Sequence, residues 1–279
     1  MQNRISTSLN NAEFWLLGIA ASLIVINLTL VWRRDDPTSF YINFLFFITI
    51  YSFLKEKYHI LNLQSGILSS LLGILLIAVV FTSSLFQVNI GILFLLLPLI
   101  SGFGLALLAS GYKGLRQYKK EFLVLGFLTI RNLLGLYQPD ISLLTAKLST
   151  AILWYTGFKV KRSGIMIHLP TGSIEVYSAC SGMDVIIDLL SLAVLFIFMF
   201  DINLLQKFIV PIVAAVIAFV VNGFRVSLMG ILVAQGNKQA FEYWHTGDGS
   251  LVFSMIASLF FCCFCWFLLS QNEQENKTN

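Results

Sequence analysis

The chain is a succession of apolar runs, each about as long as a bilayer is thick. A helix needs about 20 mostly apolar residues to cross a hydrocarbon core. Runs of that kind fall at 13–32, 38–54, 66–86, 88–110, 121–137, 183–200, 208–234 and 250–269. The third and fourth are parted only by the polar break "FQVN", and the fifth contains Arg131. Composition agrees with the pattern: 57% of the 279 residues are hydrophobic and 11% are charged, where soluble domains carry roughly 25% charged residues. The expected fold class is an all-α integral membrane protein of about eight transmembrane helices.

Charge placement suggests an orientation. The net charge is +4, and the basic residues sit in short loops between apolar runs. A nucleic-acid binder would gather them into one stripe, so nucleic acid is not expected as a partner. With the N-terminus inside, the early inside segments hold Arg4, Lys55, Lys57, Lys113, Arg116, Lys119 and Lys120, and the early outside loops hold only Arg33 and Arg34. Lysine and arginine favour the cytoplasmic side. Both termini are therefore expected in the cytoplasm, with the loop before Cys180 and the loop at 235–249 on the outer face. The first run ends at "RRDD" without a small-residue cleavage site, which suits a retained helix.

Three parts are expected: N-terminal membrane helices at 1–137, an extracytoplasmic insert at 138–182, and C-terminal membrane helices at 183–279. The insert opens with "PDISLLTAKLSTAILWYTGF", where apolar residues recur at helical spacing and Lys147 lies on the polar side. An amphipathic helix at the outer interface would read this way. Alternation in "GIMIHL" and "SIEVYS" about "PTG" predicts a β-hairpin that delivers the chain to Cys180.

Of four cysteines, Cys262, Cys263 and Cys265 lie within one apolar run, with no further ligand at zinc spacing, and read as small hydrophobic filler. Cys180 in "YSACSGMD" stands outside the runs, between a predicted strand and a predicted helix. A thiol at a helix N-terminus is favoured as thiolate. The N–H groups of Ser181, Gly182 and Met183 could hold a developing oxyanion, and Gly182 permits a sharp turn. A buried small residue in a tight turn would look the same.

Two further residues converge on that side. Arg225 sits in an otherwise uncharged run; about eighteen residues from Lys207, at 1.5 Å each, place it about 27 Å along the helix, in the outer leaflet. An arginine there costs a few kcal/mol, so it faces a polar cavity, a partner or, by snorkelling, the headgroups. Asn222 shares its helical face. His245 lies in "FEYWHTGDGS" before the last run, whose helix start would be capped by Asp248 or Ser250. Histidine is the usual proton shuttle for a cysteine nucleophile. Asp184 and Asp188 suit the first turns of the helix after Cys180. His168 reads as a surface residue of the hairpin, and Arg131 as the inner end of a polar path or a helix break.

"YSACSGMD", "NGFRVSLM" and "YWHTGDGS", in that order, resemble the Cys–Arg–His pattern of the exosortase/archaeosortase family of membrane proteins. "HILNLQSG" and "GDGSLVFSMI" are most like its cyanobacterial branch. The likeness covers about 138–260 well and the N-terminal helices loosely. It implies a sortase-like cysteine peptidase or transpeptidase of the bacterial plasma membrane. Its substrates would be exported proteins with a C-terminal sorting signal: a Pro-Glu-Pro type motif, one transmembrane helix and a basic tail. Cys180 would be the nucleophile, Arg225 the electrostatic stabiliser and His245 the acid/base, with Asn222, Ser181, Gly182 and Asp184 as secondary candidates. A glycan or lipid-linked molecule would be the acceptor, membrane lipids the surroundings, and no metal or organic cofactor is implied.

The competing expectations are a transporter with Arg225 at an anion site, which would call for internal repeats, and a noncatalytic scaffold of an export complex. A metallopeptidase would need HExxH, which is absent from the sequence.

Overall fold

The structure, a computed structural model, describes residues 12–34, 37–85, 91–135, 139–247 and 249–278. The chain divides into two compact units, Met1–Leu133 and Leu134–Asn279.

The first unit is helical: α1 Ala12–Trp32, α2 Pro37–Lys57, α3 Ile67–Leu85, α4 Gly91–Gly114 and α5 Lys119–Leu134. Leu23, Ile77, Val80 and Leu97 form a core shared by α1, α3 and α4. Helices in lipid gain little from burying apolar surface against each other, so close approach and polar pairs carry the packing. Gly73 of α3 lies against Gly104 of α4, where a Cβ at Gly73 would sit 2.7 Å from the Gly104 carbonyl oxygen. Asn27 Nδ2 of α1 donates to Ser101 Oγ of α4 at 3.3 Å. Lys57, at the end of α2, pairs with Glu121 of α5 at 2.8 Å and donates to the Gln117 carbonyl. Nearer the other end, Arg131 Nη2 donates to Ser39 Oγ at 3.0 Å. Arg131 breaks no helix; α5 runs past it.

The second unit contains α6 Ser142–Tyr155, strands β1 Lys161–Ser163, β2 Met166–Leu169 and β3 Gly172–Glu175, then α7 Met183–Met199, α8 Leu204–Ala234, α9 Lys238–His245 and α10 Gly249–Thr278. Leu189, Phe196, Ala214, Ala218, Ala257 and Phe261 make the core of α7, α8 and α10. Cys265 is buried in it as filler, whereas Cys262 and Cys263 face outward. The expected hairpin is β2–β3, with Ile167 opposite Ile174. A third antiparallel strand, β1, pairs with β2. Its residues are all exposed, so it carries no alternation by which the sequence could announce it.

Helix α8 is 31 residues long, or about 46 Å at 1.5 Å per residue, and so exceeds a hydrocarbon core of about 30 Å. A capping box starts it: Asn203 Oδ1 accepts from Gln206 N, and Gln206 Oε1 from Asn203 N. The apolar residues after Arg225 are covered by protein. Val226, Ile231 and Val233 pack with Ile167, Ile174 and Val176 of the sheet region. Helix α6 forms where an interfacial helix was expected, yet its inward face is Ser142, Thr145, Ala146, Ser149 and Leu153, while Leu143, Leu144, Trp154 and Tyr155 face outward. Small hydroxyl residues let α6 approach α8 closely: Ser149 Oγ donates to the Gly223 carbonyl at 3.0 Å.

Among the described residues, six helical stretches are long and apolar enough to cross a membrane: Glu13–Trp32, Pro37–Ile60, Ile67–Leu85, Ile92–Leu134, Leu204–Ala234 and Gly249–Gln274. Among the described residues, each of the eight runs seen in the sequence falls mainly in helix. The fourth and fifth fall in one stretch because α4, a 3-10 turn at Leu115–Tyr118 and α5 are consecutive in sequence, but Gly111 (φ 62°, ψ −174°) breaks the helical path near the end of α4. Helix α7 has 17 residues, about 26 Å of helix, just short of a full crossing. The "FQVN" break lies outside the described residues, as does Asp248. Ser250, the other expected cap, is the second residue of α10.

Removing one partner of a buried ion pair leaves the other uncompensated. Lys57→Met strands the carboxylate of Glu121, which is the more buried partner. It is expected to cost about 2–4 kcal/mol and to lower the melting temperature more than Glu121→Gln does, as read by thermal unfolding in detergent.

Candidate active site

The chain reaches the site through a short 3-10 helix, Ser178–Cys180. Cys180 N donates to the Tyr177 carbonyl at 2.8 Å, and Ser181 N to the Ser178 carbonyl at 3.1 Å. Ser181 is right-handed (φ −64°, ψ −25°) and Gly182 left-handed (φ 90°, ψ 7°). A right-handed residue followed by a left-handed one turns successive N–H groups toward one side, a form that binds anions. One of the three N–H groups expected at an oxyanion is thus engaged, that of Ser181. Met183 N is held only loosely, by Ser181 Oγ at 3.4 Å.

Helices α6 and α8 fix this turn from below. Asn222 Nδ2 of α8 donates to the Cys180 carbonyl at 3.1 Å. Thr145 Oγ1 of α6 donates to the Ser181 carbonyl at 2.7 Å. Gly182 presses on Asn222; a Cβ there would lie 2.4 Å from Asn222 Nδ2, and its positive φ disfavours any side chain. Asn222 Oδ1 is buried with no hydrogen-bond partner among the described residues.

His245 arrives from the far side on α9, a helix the sequence did not suggest. Asn237 caps α9 by accepting from Ala240 N at 3.1 Å, and Phe241, one turn before His245, stacks on its ring at 5.0 Å and 22°. The imidazole is thereby turned to the cysteine: Cys180 Sγ lies 3.3 Å from His245 Nε2. Tyr177 Oη is also 3.3 Å from that nitrogen. Arg225 Nη2 donates to the His245 carbonyl at 2.9 Å, and its buried Nε has no hydrogen-bond partner among the described residues.

The electrostatics follow from this geometry. Burial, and secondarily the Arg225 charge, hold His245 below the ordinary histidine value. A neutral imidazole is the form that can accept the thiol proton. Tyr177 is pushed upward, first by its hydrogen bond with Cys180, then by burial and the Cys180 charge, with Arg225 opposing. Its hydroxyl therefore keeps its proton at neutral pH.

Cys180, Asn222, Arg225 and His245 thus meet at one place, with Ser181 and Gly182 shaping the turn. Asp184 is exposed in the first turn of α7, and Asp188 follows one turn later. His168 is an exposed residue of β2 whose Nδ1 bonds Ser173 Oγ at 2.9 Å, away from the thiol. Sequence reasoning missed Tyr177, Thr145 and Phe241. Tyr177 stands in the quoted motif, three residues before Cys180, and the i,i+3 spacing of a 3-10 turn was the signal that could have found it.

Fold and site together define a multi-pass membrane protein with a thiol–imidazole pair set beside a guanidinium. A family model described as transmembrane exosortase (Exosortase_EpsH) matches residues 32–262. The chain belongs to that family, whose members are membrane-embedded sortase-like enzymes. No curated protein and no solved structure matches it.

Gly182→Ala is expected to cost about 1–3 kcal/mol through backbone strain and collision with Asn222. Part of that cost disappears in Gly182→Ala/Asn222→Ala, since the second change removes the group the methyl meets. Melting temperatures of the four proteins would show less than additive loss; strict additivity would mean that the two residues do not bear on each other.

Proposed function

We propose that the protein is a cysteine peptidase or transpeptidase that cleaves C-terminal sorting signals of exported proteins at the outer face of a bacterial plasma membrane. The observation that carries this is the 3.3 Å approach of Cys180 Sγ to His245 Nε2. The loop charges support an orientation with both termini in the cytoplasm and the site outside.

The steps follow from the groups present. His245 Nε2 takes the proton of Cys180, and the sulfur attacks the scissile carbonyl carbon. The resulting oxyanion lies within the field of Arg225 and the turn at Ser181–Gly182. The C–N bond breaks as His245 returns its proton to the leaving amine, which leaves a thioester on Cys180. An acceptor amine or hydroxyl, or water, then gives a proton to His245 and attacks the thioester, and the sulfur departs and is reprotonated. A glycan or lipid-linked acceptor suits a site at the membrane surface. The substrate class, a Pro-Glu-Pro type signal with one transmembrane helix and a basic tail, comes from the sequence resemblance, as does the likeness to the cyanobacterial branch.

Co-expression with a reporter carrying such a signal, in cells lacking the endogenous enzyme, tests this. Cys180→Ala at equal membrane abundance is expected to abolish the change in reporter size; unchanged processing would return the scaffold alternative. The pH profile adds a second check. His245 works as the neutral base, so the rate falls as pH drops through its folded value, which lies below the ordinary value of about 6.5. In the residual activity of Arg225→Gln this acid limb moves up in pH, but stops short of the ordinary value because burial is the larger cause.

A further inference from the structure

Two hydrogen-bonding groups share one nitrogen at this site. Cys180 Sγ and Tyr177 Oη both lie 3.3 Å from His245 Nε2. A ring nitrogen has one in-plane position, for one accepted or one donated hydrogen. The two groups cannot both use it, so proton transfer at His245 must also change what Tyr177 does. We propose that the Tyr177 hydroxyl is part of the proton machinery, a donor that turns from His245 to the sulfur when the Cys180 thiol ionises.

The backbone brings the two side chains together. Tyr177 and Cys180 are joined by the 2.8 Å bond of the 3-10 turn, and residues three apart eclipse in that geometry. Tyr177 is 46% exposed and Cys180 9%, so the ring stands at the outward side of the thiol. It meets His245 edge-on at 6.3 Å and 70°. The proximity of Cys180 pushes Tyr177 upward, in keeping with a hydroxyl that stays protonated and lies within reach of the sulfur.

The proton balance is simple. With neutral His245 accepting at Nε2, the hydroxyl and the thiol compete to donate to it. When the thiol proton moves to Nε2, a thiolate and an imidazolium result. Nε2 now carries a hydrogen and can only donate, so the phenolic hydroxyl can no longer donate to it. The phenolic hydrogen is released from its former partner and donates to the sulfur anion. No bond within Tyr177 breaks. Burial and Arg225 both disfavour the imidazolium, so a donor that appears only once the ion pair has formed lowers the barrier rather than the ground state.

The role in turnover rests on Cys180 being the nucleophile; the hydrogen bond itself does not. The test is the pH dependence of Cys180 alkylation by iodoacetamide in the reconstituted full-length protein, followed by mass spectrometry of the peptide that contains Cys180. Tyr177→Phe keeps the ring contact and removes the donor. The half-maximal pH is expected to rise by about one unit, with alkylation about tenfold slower at neutral pH, the size of one charge-assisted hydrogen bond. Processing should show a kcat about tenfold lower with little change in KM. A general loosening of the fold would expose Cys180 and speed its alkylation, the opposite sign. An unchanged or faster profile in Tyr177→Phe therefore overturns the proposal. Cys180→Ala separates the two ideas: if that variant still processes reporter, the peptidase function fails while the alkylation profile still decides the hydrogen bond.

Discussion

The hydrogen bond from Asn222 to the Cys180 carbonyl joins two kinds of structure. On one side is α8, a helix of 31 residues. On the other is an irregular turn whose position no helix or sheet ladder fixes. A buried carbonyl needs a donor, and Asn222 supplies one while leaving no room for a side chain at Gly182. Thr145 supplies the second, from α6. The thiol is held as well as it is because its own backbone is bonded to rigid elements on either side.

Arg225 works chiefly as a charge and a clasp. Its guanidinium holds the main chain at His245, so it fixes the base through the backbone while the ring is fixed by Phe241. The same positive charge disfavours a second positive charge on the imidazole and favours any negative charge nearby. Such an arrangement disfavours the imidazolium at His245.

The sequence disclosed the parts of this protein that depend on periodicity and polarity. Apolar runs marked the helices, alternation marked β2 and β3, and an arginine in an apolar run marked a residue with a partner. It said less where a long-range contact decides. The apolar residues after Arg225 looked like more membrane, but the sheet covers them. Helix α6 looked amphipathic by its apolar residues, yet its serines and threonines face inward, because hydroxyl groups that bond carbonyls of α8 and the site turn are as good at an interface as aliphatic groups. Strand β1 is short and exposed and leaves no pattern to read, and α9, though two-sided, spans only eight residues. Tyr177 was in plain sight, but its contact with His245 depends on where α9 places the imidazole, which local sequence does not give.

The site is built from segments that the ribosome delivers far apart in time. Thr145 comes first, then the turn at 177–182, then Asn222 and Arg225 on α8, and last the imidazole on α9. A growing chain that has completed α8 possesses its sulfur and its asparagine clamp but no base. On the proposed mechanism the sulfur at that stage would lack the group that takes its proton. Because the imidazole rides on α9, just before α10, the proposed chemistry would begin only after most of the second unit has been made.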